Sequence, residues 1–247
     1  MRQFGLIGKT LKHSFSKNYF SNKFIKENIE GCNYELFELP TIQSFPKLIE
    51  DYKNSLLGLN VTIPYKLDVM EYLDELDSNA KSIGAVNTIK VLSNGKLKGY
   101  NTDYLGFKNS LKENWELKNK KALILGTGGA SNAVKCALGD LQIDYLMVSR
   151  SAKGDIIDYE SIMKNPEIIE DHKLIVNTTP LGTFPNVEDK PQLPYSSITE
   201  NHLLFDLVYN PEVTAFMKEG LKLNAKVKNG YNMLVGQAEA SWKIWNE

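Results

Sequence analysis

The sequence predicts an α/β protein of two consecutive units, and three observations carry that prediction. Short apolar runs alternate with stretches of helical spacing, the pattern of mainly parallel strands joined by helices. The dipeptide Asn94-Gly95 sits between two strand-like runs and signals a hairpin turn. Beyond it, "ALILGTGGAS" passes from an apolar run through glycines into a helical stretch, as at the start of a new sheet.

In chain order, "QFGLIG" (3–8) is a strand, and "FSKNYFSNKFIKENI" (15–29) spaces Phe20, Phe24 and Ile25 as a helix does. "YELFEL" (34–39) is a strand and "TIQSFPKLIEDYKN" (41–54) a helix. In "LLGLNVTIP" (56–64), Val61 and Ile63 flank polar Thr62, and Pro64 ends the ladder because it has no N–H. "YKLDVMEYLDEL" (65–76) predicts another helix, 85–103 the hairpin, and "NTDYLGFKNSLKENW" (101–115) a helix for which Asp103 is a suitable N-cap. The second unit runs strand, glycine loop and helix over 120–140. Strands follow in "DYLMVSRS" (144–151), "HKLIVNTTPLG" (172–182) and "HLLFDLVYNPEV" (202–213), and "NGYNMLVGQAEASWKIW" (229–245) closes as an amphipathic helix. With no repeat and no low-complexity linker, pattern alone places the join between the units near residues 102–103; the domains expected are 1–102 with the closing helix from about 230 to 247, and 103–229.

Composition narrows the function classes. Hydrophobic residues make up 42% and charged residues 24% of 247, ordinary for a soluble globular chain. A formal net charge of -1 gives no pull toward nucleic acid or an anionic membrane. Cys32 and Cys136 form no CxxC pair, which fits a reducing compartment, and His13, His172 and His202 are too scattered to suggest a metal site. "MRQFGLIGKT" lacks the apolar region of a signal peptide, and no apolar run approaches the ~18 residues needed to span a bilayer. The expectation is a soluble cytoplasmic protein that needs no metal.

Gly126, Gly128 and Gly129 lie between the apolar strand and its helix, where glycine permits a tight turn and close approach of a pyrophosphate to the helix N-terminus. Ser131 stands where the usual fingerprint has a third glycine, and a plain tight turn is the competing reading. At the end of the next strand, an NAD site places a carboxylate that accepts from the ribose hydroxyls. Here Ser149, Arg150 and Ser151 stand instead. A guanidinium grips a 2′-phosphate with paired donors, so the segment predicts NADP(H) over NAD; an exposed loop arginine is the alternative.

The chain resembles the shikimate dehydrogenase family nearly end to end. The motifs are "HSFS" (13–16), "NVTIPYK" (60–66), "GAVNT" (84–88), "NTD" (101–103), "GTGGAS" (126–131), "VSRS" (148–151), "NTTPLG" (177–182), "DLVYNPEVT" (206–214) and "NGYNMLVGQA" (229–238), in the family's order. The resemblance implies an N-terminal α/β substrate-binding and catalytic domain and a Rossmann-like NADP-binding domain. It implies NADPH-dependent reduction of 3-dehydroshikimate to shikimate, on the way to chorismate and the aromatic amino acids. It implies Lys66 as the catalytic lysine with Asp103 as its partner. Ser14 and Ser16 match the hydroxyls for the substrate carboxylate, while Thr62, Asn87, Tyr209 and Gln237 match the rest of that pocket. Gly126, Thr127, Gly128, Gly129, Ala130, Ser149, Arg150, Ser151, Asn177 and Thr178 match cofactor contacts, and Leu207 and Gly230 fall at the nicotinamide end. The chain departs from the family at Lys17 after Ser16, where proline is common, at Phe20, where histidine is common, and at Ser149-Arg150-Ser151, where Asn-Arg-Thr is usual.

These residue types suit the chemistry. Hydride transfer to a ring carbonyl leaves charge on its oxygen, which a nearby lysine neutralises by giving a proton. Ser14 and Ser16 are two apart, so on an extended segment both hydroxyls face one side; helix capping is the competing reading. Asn87 and Gln237 offer amides to ring hydroxyls. Tyr209 is also explained as a turn residue and His13 as a local structural group. A quinate/shikimate dehydrogenase using NAD and a catalytically silent nucleotide-binding sensor remain open alternatives, as do monomer and homodimer.

Overall fold

The computed structural model describes residues 1–12, 14–114 and 121–247. The readings made for His13, Trp115 and Lys120 therefore lie outside the described residues. The chain divides into two compact units, 1–102 with 237–247 and 103–236.

The first unit carries β1 (Arg2–Gly8), α1 (Phe15–Lys26), β2 (Cys32–Glu38), α2 (Phe45–Asp51), β3 (Leu56–Val61), β4 (Glu75–Leu76), α3 (Ser78–Ile83), β5 (Thr88–Val91) and β6 (Leu97–Tyr100). Its sheet has the order β2-β1-β3-β5-β6-β4. β1 pairs in parallel with β2 and β3, whereas the β5–β6 hairpin adds antiparallel ladders on the far side of β3. Alternation along β1 feeds two cores: Phe4 and Leu6 pack with Phe20, Tyr34 and Trp245, while Ile7 joins Phe45, Leu59, Val69 and Ile89 on the other face. The registers Ile7↔Val61, Asn60↔Thr88 and Thr88↔Tyr100 bring the ends of β1, β3 and β6 and the start of β5 to one sheet edge.

The second unit contains α4 (Thr102–Asn114), β7 (Lys121–Leu125), α5 (Gly129–Asp140), β8 (Asp144–Ser149), β9 (Ile156–Asp158), α6 (Tyr159–Lys164), α7 (Glu167–Asp171), β10 (Leu174–Asn177), β11 (Leu203–Asp206), α8 (Ala215–Lys222) and β12 (Lys226–Lys228). The unit boundaries fall one residue into α4 and within α9 (Tyr231–Asn246). Its sheet, ordered β12-β11-β10-β7-β8-β9, is parallel throughout. Leu125 is in register with Val148 and Asn177, and Asn177 with Asp206, so the carboxyl ends of the central strands share one edge. Ligands of open α/β sheets bind at such edges.

Three expectations are corrected. Residues 65–76 form no α-helix: a 3-10 turn over Asp68–Tyr72 gives way to β4, and the Asp74 carboxylate accepts from the Leu97 N–H at 2.8 Å. Pairing with β6 outweighs the helical spacing of Val69 and Leu73. The β3 ladder stops at Val61, ahead of Pro64, with one more bond from the Thr62 N–H to the Ile7 carbonyl at 3.0 Å. The helix expected over 41–54 is a 3-10 turn, Ile42–Ser44, followed by α2 with Pro46 in its first turn. No helix among the described residues is long and apolar enough to cross a membrane.

Candidate active site

The loops at the first sheet's edge are held by backbone bonds. After β3 the chain turns with Tyr65 N–H to the Thr62 carbonyl, 3.0 Å, and Tyr65 anchors its hydroxyl on the Leu39 carbonyl, 2.7 Å. Lys66 follows, half-buried, with its carbonyl accepting from the Val86 N–H at 2.8 Å. The Asn87 carbonyl accepts from the Val61 N–H at 2.8 Å. Thr62, Lys66 and Asn87, spread over the sequence, are thereby brought to one edge.

A buried polar network orients the amides. Asn87 Oδ1 accepts from the Thr102 N–H at 2.7 Å, and from the hydroxyls of Thr102 and Thr88 at 3.1 and 3.2 Å. A backbone N–H only donates, so the amide oxygen must face it and Nδ2 is turned the other way, with no protein acceptor among the described residues. Ser241 on α9 joins the Asn60 amide, Thr88 and Thr102, and donates to the Gln237 carbonyl at 2.9 Å. Gln237 is buried, with Oε1 at 3.5 Å from the Thr102 hydroxyl. The Asn87 amide is thus fixed with its nitrogen donor to spare. Asp103 directly follows Thr102 and lies in the first turn of α4, not ahead of it as an N-cap. A carboxylate there is favoured by the helix dipole.

"HSFS" corrects the geometry expected of its serines. Ser14 is extended, but α1 begins at Phe15, so Ser16 is already helical and the two hydroxyls do not share one face of a strand. Ser14 caps α1, its Oγ accepting from the Lys17 N–H at 3.4 Å, and Ser16 is buried.

In the second unit, Gly126 adopts φ +108, a conformation suited to glycine, and a Cβ there would stand 2.8 Å from the Thr178 hydroxyl. Gly128 caps α5 with no side chain closing the helix end, so first-turn N–H groups remain for a ligand. A Cβ at Gly128 or Gly129 would meet nothing within 4 Å, and Thr127 is exposed beside them. Ala130 is the second residue of α5. Ser131 is fully buried and donates to the Gly128 carbonyl at 2.6 Å, closing the turn in place of a third glycine. Ser149 ends β8 next to this loop, since the Gly126 N–H bonds the Val148 carbonyl at 2.8 Å; Arg150 and Ser151 follow, exposed. An open helix N-terminus with a nearby guanidinium fits a phosphorylated dinucleotide.

The loops after β10 and β11 interlock. The Asn177 amide is consumed internally, with Nδ2 donating to Asp206 at 2.9 Å and Oδ1 accepting from the Thr179 N–H and hydroxyl at 3.0 and 2.6 Å. The Thr178 hydroxyl donates to the Leu125 carbonyl at 2.7 Å. The Leu207 N–H bonds the Asn177 carbonyl at 3.0 Å, and Tyr209 beyond it is half-exposed. Gly230 is required by close approach: its N–H bonds the Val208 carbonyl at 3.1 Å, and a Cβ would collide with the Leu207 carbonyl. Gly230→Ala is expected to lower stability by about 1–3 kcal/mol, as overpacking does. Chemical denaturation checks this, and an unchanged midpoint would contradict it.

Sequence reasoning passed over Asp206, which is fully buried and hydrogen-bonded to Asn177, Val208 and Thr214. Burial pushes its carboxyl from the ordinary 3.8 up to about 6, against the pull of those bonds. The folded protein then holds this proton more tightly than the unfolded chain does. Stability from this group is full below pH 3.8 and lost as pH rises through about 6. Asp206→Asn is expected to flatten that fall in stability, measured by denaturant titration at intervals from about pH 4 to 7; an unchanged slope would contradict the assignment.

The family model described as "Shikimate dehydrogenase substrate binding domain" matches residues 6–89. A shikimate dehydrogenase (NADP(+)) from Clostridium beijerinckii is 44% identical over 254 residues, covering 100% of this chain and 93% of the relative. The crystal structure of shikimate dehydrogenase 1 from Peptoclostridium difficile is 40% identical with a TM-score of 0.84, covering 100% of this chain and 92% of that one. Shikimate 5-dehydrogenase from Thermus thermophilus, solved in complex with NADP(H) and shikimate, is 28% identical with a TM-score of 0.83, covering 99% and 93%.

Proposed function

The chain belongs to the shikimate dehydrogenase family, and on that premise we propose that it is an oxidoreductase catalysing the reversible reduction of 3-dehydroshikimate to shikimate with NADPH, a step of aromatic amino acid biosynthesis. The observation that carries this reading is the gathering of Thr62, Lys66 and Asn87 at one sheet edge, with Thr102 bonded to Asn87 and Asp103 next in the chain. The first unit serves as the substrate-binding and catalytic part and the second as the NADP-binding part.

Bound NADPH supplies the hydride to the ring carbonyl carbon. Lys66 gives a proton to the carbonyl oxygen as charge develops on it, and takes it back in alcohol oxidation. Asp103 serves as the acidic partner of Lys66 in that proton transfer. The Nδ2 of Asn87 and Nε2 of Gln237 donate to ring oxygens, Ser14 and Ser16 hold the carboxylate, and Thr62 and Tyr209 are further substrate-binding residues. The first-turn N–H groups of α5 receive the pyrophosphate, and Arg150, between Ser149 and Ser151, takes the 2′-phosphate. Thr178 serves as a further cofactor contact, and Leu207 and Gly230 serve the nicotinamide end. The compartment proposed is the cytoplasm and the assembly a monomer or homodimer, with no nucleic acid or membrane as partner.

The test is absorbance at the nicotinamide band, with shikimate and quinate each offered with NADP⁺ and NAD⁺. The fastest turnover is expected for shikimate with NADP⁺. Preference for quinate or NAD⁺ would move the chain to the quinate/shikimate reading, and binding of nucleotide without any turnover would make it a silent sensor.

A further inference from the structure

Asp206 plays no part in the chemistry drawn above, yet it is the most highly connected buried carboxylate at the second sheet's ligand edge. It ends β11 directly opposite Asn177 at the end of β10. Its Oδ1 accepts from Asn177 Nδ2 at 2.9 Å and from the Val208 N–H at 3.0 Å, and its Oδ2 accepts from the Thr214 hydroxyl at 2.6 Å. Each partner transmits the hold. Asn177 grips Thr179 through its amide oxygen and Leu207 through its carbonyl. Val208 receives the Gly230 N–H on its carbonyl, and Thr214 caps α8.

We propose that Asp206 is a positioning residue that locks the loop after β10 to the loop after β11 and so fixes Leu207 for the nicotinamide end of the cofactor. The proposal rests on the dinucleotide reading of this unit but not on the identity of the substrate. Burial opposes the charge on this carboxylate, and the groups it bonds are all uncharged donors. An ionised acceptor makes bonds roughly twice as strong as a neutral one, which favours a stiff loop pair over maximal stability. Arg150, which takes the 2′-phosphate, lies on another segment, after β8. The carboxylate is therefore expected to act chiefly on the nicotinamide end of the dinucleotide.

That separation defines the experiment. Calorimetric affinities of 2′,5′-ADP, which lacks the nicotinamide end, and of NADP⁺ are compared for the unaltered protein, Asp206→Ala and Asp206→Asn, alongside kcat and KM. In Asp206→Ala, 2′,5′-ADP should bind within about twofold of the unaltered protein, while NADP⁺ binds about tenfold more weakly. Its kcat should fall by up to about 10²-fold, the scale set by ångström misplacement of a reacting group. Asp206→Asn keeps the shape and one acceptor, so it should recover part of both losses; it also carries the test if the alanine variant fails to fold. Equal weakening of both nucleotides, or lowered stability with affinities and kcat intact, would reduce Asp206 to a packing role and overturn the proposal. If the unaltered protein turns over no shikimate, the function above fails, yet the comparison of the two nucleotides still decides this inference.

Discussion

Lys66→Ala is expected to lower kcat by about 10²–10⁴-fold, the range for loss of a positioned proton donor. The change in KM for shikimate should stay small, because proton transfer belongs to the transition state far more than to the bound ground state. The fold should survive. Lys66 is only half-buried, and the segment is held by the bond from the Val86 N–H to its carbonyl and by the Tyr65 hydroxyl on the Leu39 carbonyl. None of these involves the lysine side chain. Steady-state kinetics in both directions should show parallel losses, since one group serves as acid and as base. A large rise in KM with kcat intact would make Lys66 a substrate-binding group.

Arg150→Ala is expected to weaken NADPH by about 10- to 100-fold, the equivalent of losing charge-assisted bonds of about 1.5–3 kcal/mol. NADH lacks the 2′-phosphate and should be affected less than about twofold. Arg150 is exposed after β8, so the contact is partly screened and the loss for NADPH should shrink as salt rises. Fluorescence titration of both nucleotides at two ionic strengths measures this. Equal losses would place the guanidinium elsewhere than on the 2′-phosphate.

Much of this fold was legible because parallel strands buried on both faces read as unbroken apolar runs. "ALIL", "LIV" and "LLF" are of that kind, and each became a central strand of the second sheet. The hairpin was equally open to reading, since Asn94-Gly95 sits at the turn with Gly95 at φ +80. Edge strands were not. β9 and β12 have three residues each, and β12 is Lys226-Val227-Lys228, whose polar flanks suit a sheet edge and hide it from hydrophobic patterning. Residues 65–76 misled because β4 depends on Leu97 and β6, contacts with no local trace.

The candidate site divides in the same way. Residue types and order pointed to Lys66, Asp103, Asn87 and the glycine loop, but local conformation decided how "HSFS" presents its hydroxyls. The orientation of the Asn87 amide is set by Thr102, fifteen residues on, and could not be read from either residue alone. Asp206 was missed because a carboxylate closing an apolar strand has no periodic signature, and its partners Asn177 and Thr214 lie 29 and 8 residues away.

The claim beneath the function is that Lys66 and Asp103 work as one proton-handling unit. A double-mutant cycle on kcat/KM with Lys66→Ala, Asp103→Ala and the combined variant tests it most directly. Groups acting as a unit lose their effect together, so the combined variant should be little worse than the poorer single variant. Losses that multiply, each substitution costing its full factor in the presence of the other, would show two independent residues and contradict the account.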